Sequence, residues 1–386
     1  MIHSSEWVSP AHPDRLADCI AAKIIDQITK KDGLNSHAAI EVFITNNKII
    51  IGGEATTSLK LTPSFLEPFI REVLVDIGYN SNLRKKGFSI REVYTVNDYS
   101  TESYIIPQSP DIANGVGISK GFNDNGIFFG YAEDSNPTKL GLAHAIASKI
   151  GECLYNDSLK ENSIFGPDIK TLVTVDSQNN VTAITISIPS SPRSSNEDIR
   201  KSINDILFSD NENSFINQTP WCKLTNNFHL TINGTGKYSV HGSHGDSGLT
   251  GRKIVVNGSG GYAPNGGGSQ IKGFTASDSL LNFASRWIAK SIVNSGIAKS
   301  CTVALACAIG QKELQSFELE IDNNEADSET KKIILNKLNT VVKEWSPAFF
   351  NSIWNCYSNS SFYEVVKTNF YGGKQEWETN LIDFRK

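Results

Sequence analysis

Along DRLADCIAAKIIDQITKK apolar residues return every three to four positions, and Leu16, Ile20, Ile24 and Ile28 fall on one face. That spacing predicts an amphipathic helix, with Pro13 at its start. Two runs with strand character follow, AIEVFIT and KIIIGGEAT, joined by Asn46-Asn47 in the manner of a hairpin. A second helical stretch, TPSFLEPFIREVLVDIGY, leads to the strand-like FSIREVYTV. The order is helix, hairpin, helix, strand, and it returns. In the second unit it reads PTKLGLAHAIASKIGECLY, KTLVTVDSQNNVTAITISI, NEDIRKSINDILF and FHLTI. In the third, DSLLNFASRWIAKSIVNSG precedes the strands CTVALACAIG and SFELEID and the helix SETKKIILNKLNTVVKEW. Repetition determines architecture before local detail does, so the chain reads as three like units of about 120 to 140 residues. Each forms a small sheet with one helix-covered face, an α+β arrangement whose remaining sheet faces are free to pack against one another.

What separates the units is also informative. Between the first and second lies YSTESYIIPQSPDIANGVGISKGFNDNG, 28 residues without periodicity, and so long a loop is usually functional or mobile. It places Gln108, Asp111 and Asn114 among turn formers, as in a lid or an ordinary surface loop. Between the second and third units, 13 of the chain's 30 glycines fall in the 40 residues from Gly234 to Gly273. The tail KTNFYGGKQEWETNLIDFRK is aromatic and charged and reads as a packed extension. The length of 386 residues agrees with the repeats, since at roughly 150 residues per domain it allows about 2.6.

Composition removes whole classes of function. No window approaches 18 uninterrupted apolar residues, so a membrane-spanning protein is excluded. With 36 basic against 41 acidic residues the net charge is −5, and nucleic acid is not the expected main partner. Six cysteines (Cys19, Cys153, Cys222, Cys301, Cys307, Cys356) are scattered without a C-x-x-C pair, and MIHSSEWVSPAHPD has neither a basic nor an apolar leader region. A reduced, cytoplasmic protein is expected.

The glycine cluster carries Asp246, Arg252, Lys253 and, near its end, Lys272. Backbone amides freed by glycine beside fixed cations are what a polyphosphate needs; tight turns and close packing would use glycine equally well. It is not a P-loop, because Gly245 to Gly251 is one residue too long and Arg252-Lys253 replaces the Lys-Ser/Thr pair. His12 and Asp14 stand just ahead of the first helix, where free N–H groups and the dipole suit anions and where an aspartate can also be a plain cap. Glu41 and Glu54 occupy neighbouring strands of one hairpin, a carboxylate pair able to receive cations, and Asp124 precedes a strand, where an Asx-turn is the simpler role.

HPDRLAD, GGEATTS, QSPDI, NDNGIFFGYA, PDIKTLVTV and above all GDSGLTGRKIVV followed by GGG resemble the S-adenosylmethionine synthetase family, in order and over nearly the whole chain. The resemblance implies an α+β fold of three similar βαββαβ-type domains with pseudo-threefold symmetry, with strands exchanged between sequence units. On that basis the units run 1–107, 126–232 and 233–386, with an active-site loop and linker at 108–125. It implies a methionine adenosyltransferase reaction: methionine sulfur attacks ribose C5′ of ATP, displacing triphosphate that is hydrolysed to pyrophosphate and phosphate. By the same resemblance His12 contacts the triphosphate at the breaking bond, and Lys170, Arg252, Lys253 and Lys272 hold phosphate oxygens. Asp168 and Asp246 contact adenosine, Tyr238 replaces an aromatic residue that stacks on adenine, and Glu54, Gln108 and Asp124 surround methionine. Asp14 and Asp278 bind a pair of magnesium ions, Glu41 lies near a potassium site, and Glu6 matches an acidic position near the metals. A homodimer with its active site between subunits, or a pair of such dimers, is implied.

The departures gather on the methionine side. The family's EGHPDK is PAHPDR, with Pro10, Ala11 and Arg15; GAGDQG is GFNDNG, which puts Phe122 beside the methionine pocket; after GGG, SQIKGFTASDSLL is one residue shorter and keeps one of two lysines; and GHFGR is replaced by FYGGKQEWE. The triphosphate side is nearly complete. These changes leave open a paralogue that uses another sulfur substrate or cleaves polyphosphate, and a silent subunit that regulates a true synthetase.

Overall fold

A computed structural model describes residues 2–33, 36–109, 121–322, 324–356 and 361–385. The first unit contains β1 (His3–Val8), α1 (Pro13–Asp32), β2 (His37–Thr45), β3 (Lys48–Thr56), α2 (Pro63–Asp76), β4 (Ser100–Ser103) and the short β5 (Ile106–Pro107). The second contains β6 (Gly126–Glu133), α3 (Leu142–Ser158), β7 (Lys170–Val175), β8 (Asn180–Ser187), α4 (Asn196–Leu207) and β9 (Lys223–Ile232). The third contains β10 (Gly248–Leu249), α5 (Ser277–Asn294), β11 (Ser300–Cys307), β12 (Ser316–Ile321), β13 (Asn324–Glu325) and α6 (Ser328–Val341). The tail adds α7 (Pro347–Trp354), α8 (Phe362–Thr368) and α9 (Glu376–Thr379).

Each unit gives away its first strand. β1 joins β7 and β8 of the second unit, β6 joins β11 and β12 of the third, and β10 joins β2 and β3 of the first, all antiparallel to their new neighbour. The exchange is cyclic, so no unit closes its sheet alone. In the first two sheets the last strand, β4 or β9, lies parallel to the second hairpin strand after a helical crossover. In the third, β13 precedes its helix and pairs antiparallel with β12. The stretch FSIREVYTV is not a strand: Glu92 accepts from Ser89 N–H and Asp98 from Thr95 N–H, so local side-chain bonds fold it into turns.

One continuous core runs beneath the three sheets. The helices α1, α3 and α5 cover the inner faces, and α5 is buried almost all round, from Ser277 to Val293. The outer faces do not pack against each other. They carry exposed apolar side chains instead, among them Phe43 and Leu249 on one sheet, Leu172 on another and Ile127 on the third. Among the described residues no helix is long and apolar enough to cross a membrane.

The tail is held by a buried ion cluster. Glu378 accepts from Arg286 Nε at 2.8 Å and from Lys290 Nζ at 2.8 Å, and Arg286 also donates to the Tyr131, Lys139 and Thr138 carbonyls. Burial alone would raise the Glu378 carboxyl, but the Arg286 and Lys290 charges hold it below the usual range. Removing the carboxylate strands two buried cations. Glu378→Ala is expected to destabilise the fold by about 3–5 kcal/mol in urea unfolding; a loss below about 1 kcal/mol, the worth of an exposed pair, would contradict this role.

Candidate active site

The site begins where α1 meets the glycine-rich segment. His12, not Asp14, is the cap, its Nδ1 accepting the Asp14 N–H at 3.3 Å. The Asp14 carboxylate is therefore free to face β10, where it accepts the Leu249 N–H at 2.9 Å and the Lys253 ammonium at 2.5 Å, with Arg252 Nε at 3.6 Å. The approach is close: a Cβ on Gly248 would lie 2.1 Å from the Pro13 carbonyl oxygen. One turn on, Asp18 accepts the Gly251 N–H at 2.9 Å and the Asn257 amide at 3.3 Å. Asn257 in turn accepts Arg15 at 2.9 Å, and Arg15 donates to the Val366 carbonyl at 2.5 Å. Of the two uses of glycine, close packing accounts for Gly248 and for Gly266, whose Cβ would meet the Ile127 oxygen at 1.6 Å. The amides of Leu249 and Gly251 are taken by α1 carboxylates rather than left free.

Burial, followed by the Lys253 charge and opposed by Asp14, lowers His12 to about 3. The imidazole is neutral at pH 7, and since Nδ1 accepts, Nε2 carries the proton. Burial lifts Asp18 to about 7, with the Gly251 N–H, Arg15 and Asn257 opposing. Lys170, the first residue of β7, pairs with Glu6 at 2.5 Å across the β1–β7 ladder. Beside them Asp168 accepts the Tyr238 hydroxyl at 3.1 Å and the Gly242 N–H at 2.8 Å. Burial raises Asp168 to about 6, those two bonds opposing and the exposed Asp246 adding to the rise.

A second group forms at the start of α5. Lys272 lies 2.5 Å from Asp278 and 3.6 Å from Asp124. Burial raises Asp278 and Lys272 pulls it back. Asp124 also accepts the N–H of Asn125, the next residue and not the one two positions on that an Asx-turn uses, beside its ion pair with Lys272. Glu41 and Glu54 share the outer face of their sheet, since Glu54 pairs with Ala39 and Glu41 with Gly52. Lys272, the Thr250 hydroxyl and Glu54 all act on Glu41. Gln108 accepts the Thr56 hydroxyl at 3.1 Å, while Asp111 and Asn114 lie outside the described residues. Phe122 does not stand open to a pocket. It is buried in the core, its backbone paired with Gln311 and Gly310.

Glu41 lies between the group around Asp14 and the group around Asp278: burial raises its carboxyl, while Lys272 from the one side and the Thr250 hydroxyl from the other oppose the rise. Sequence reasoning does not pick out Arg15, Asp18 and Asn257 as site residues. The available signal is Asp14, Arg15 and Asp18, three charged residues within the first two turns of a helix that is otherwise apolar there.

The chain matches three family models, described as the N-terminal, central and C-terminal domains of S-adenosylmethionine synthetase, over residues 1–104, 119–238 and 240–379. It is 33% identical over 404 residues to an S-adenosylmethionine synthase of Mycoplasma capricolum, covering 99% of this chain and 95% of that one. To the S-adenosylmethionine synthase of Zymomonas mobilis it is 33% identical over 332 residues, with 83% and 80% covered. Its fold is similar to an unusual S-adenosylmethionine synthetase of Campylobacter jejuni, with TM-score 0.85, 29% identity and 98% and 96% of the two chains covered.

The raised Asp18 has a consequence for stability. Its folded pKa of about 7 stands above the unfolded value of about 3.9, so between those values the folded state holds a proton that the unfolded chain has lost. Its contribution to stability therefore falls as pH rises through that window. Asp18→Asn removes the titration and is expected to flatten stability against pH between about 4 and 7 in urea unfolding; wild-type and variant curves of equal slope would contradict the assignment.

Proposed function

The chain belongs to the S-adenosylmethionine synthetase family, and from that premise we infer that it makes S-adenosylmethionine from ATP and L-methionine. Sulfur attacks ribose C5′, the C5′–oxygen bond breaks, and the triphosphate leaves whole before hydrolysis to pyrophosphate and phosphate. The paralogue and silent-subunit alternatives are not favoured, because the likeness to synthases runs over nearly the whole chain.

One observation carries the site reading: two cations, Arg252 and Lys253, converge on the buried Asp14 at the N-terminus of α1. Sulfur needs no base, so the chain's task is to align the reactants and neutralise the growing charge. Lys253, Arg252, Lys170 and Lys272 hold phosphate oxygens, and the helix N-terminus adds its own positive end. The neutral His12 donates a hydrogen bond from Nε2 to the departing oxygen. Asp168, Asp246 and Tyr238 hold adenosine, and Glu54, Gln108 and Asp124 hold methionine.

Asp14 and Asp278 offer hard carboxylate oxygens, each facing a lysine that an arriving cation can displace, and these suit magnesium. When bound, magnesium neutralises charge on the triphosphate. Glu6, which pairs with Lys170, is the acidic residue assigned near the metals, and Glu41 provides an oxygen for potassium. The exposed Phe43, Leu172 and Ile127 on the outer sheet faces support a homodimer with its active site between subunits. Unpaired cysteines suit a cytoplasmic setting. We take the functional units as 1–107, 126–232 and 233–386, with 108–125 as the active-site loop.

Lys253→Met is expected to lower the rate of S-adenosylmethionine formation about 10²- to 10³-fold, the scale of one lost charge-stabilising donor, with circular dichroism unchanged. An unaltered rate would show that the triphosphate is held elsewhere.

A further inference from the structure

The segment that carries Arg252 and Lys253 is tied down on both sides by groups that take no part in substrate contact. Ahead of the two cations, Gly251 N–H reaches Asp18; behind them, the Asn257 side chain reaches both Asp18 and Arg15. Asp18 is 0%, Arg15 1% and Asn257 5% exposed. Such burial of polar and charged groups is costly unless their bonds are made, and here the bonds converge on one short stretch of chain. Arg15 extends the tie to the tail through the Val366 carbonyl. The helix, the glycine-rich segment and α8 are thereby locked in one register.

We propose that Arg15, Asp18 and Asn257 are positioning residues for the adenosyl transfer, a buried network that fixes Gly251–Asn257 on α1 and so aims Arg252 and Lys253 at the triphosphate. The proposal rests on the site reading above. It goes further in assigning a rate effect to groups that never touch the substrate. A displacement of about 1 Å in a charged ligand can cost on the order of 10²-fold in rate, and losing either tie removes a bond that holds the segment against such a displacement.

The two side chains permit a swap. In Asp18→Asn the new amide faces the Asn257 amide, donor against donor; in Asn257→Asp the new carboxylate faces Asp18. In the double variant Asp18→Asn/Asn257→Asp, the amide introduced on α1 still accepts Gly251 N–H through its oxygen and donates to the carboxylate introduced opposite it. That carboxylate still accepts Arg15, and the net charge is unchanged. The experiment measures kcat per folded molecule and KM for methionine in the two singles, the double and Lys253→Met. The expected result is a fall of about 10- to 100-fold in kcat for each single with KM for methionine unchanged, and recovery to within about threefold in the double. Singles with wild-type kcat beside an inactive Lys253→Met would overturn the positioning role alone. So would singles that lose only stability or fail to fold, or a double that does not recover. A fully active Lys253→Met would instead overturn the underlying site reading.

Discussion

Two carboxylates on the first helix, Asp14 and Asp18, are buried against a segment more than 230 positions away in sequence, and each accepts a backbone N–H from it. A buried carboxylate must be paired or bonded, and these two are satisfied only if the glycine-rich segment passes directly over the helix start. That requirement fixes Gly248 against Pro13, sets β10 on the edge of the first sheet beside β2, and delivers Arg252 and Lys253 to the helix N-terminus. The same contacts that complete the fold thus assemble the cationic site. Stability and chemistry are drawn from one set of bonds, so changes there should be read in both.

The cyclic exchange of strands serves the same end. Because each sheet borrows a strand from another unit, the units cannot separate without exposing sheet edges, and residues from distant parts of the chain meet at fixed positions. Lys170 meets Glu6 because β1 lies on β7, and Leu249 meets Asp14 because β10 lies on β2. The exposed outer faces follow from the arrangement, since the helices occupy the inner side.

Much of this is legible in the sequence. The helices of the three units, the hairpin turning at Asn46-Asn47 and the packed tail follow from apolar period and turn chemistry, and Asn46 takes the positive φ of 53° such a turn needs. The FSIREVYTV stretch misleads because its alternation resembles a strand while Glu92 and Asp98 bond to nearby backbone. Phe122 misleads because linear adjacency to Asp124 says nothing about direction; the backbone pairing with Gln311 turns it inward. The cation cluster is visible as residue types, whereas the network of Arg15, Asp18 and Asn257 is not, because it depends on a pairing between α1 and residues far along the chain.

The most direct measurement uses the intact protein with ATP, magnesium and potassium, with and without methionine, and identifies the products by mass spectrometry. S-adenosylmethionine formed together with equal amounts of pyrophosphate and phosphate, and only when methionine is present, is the predicted result. Phosphate release indifferent to methionine, or no turnover at all, would contradict it.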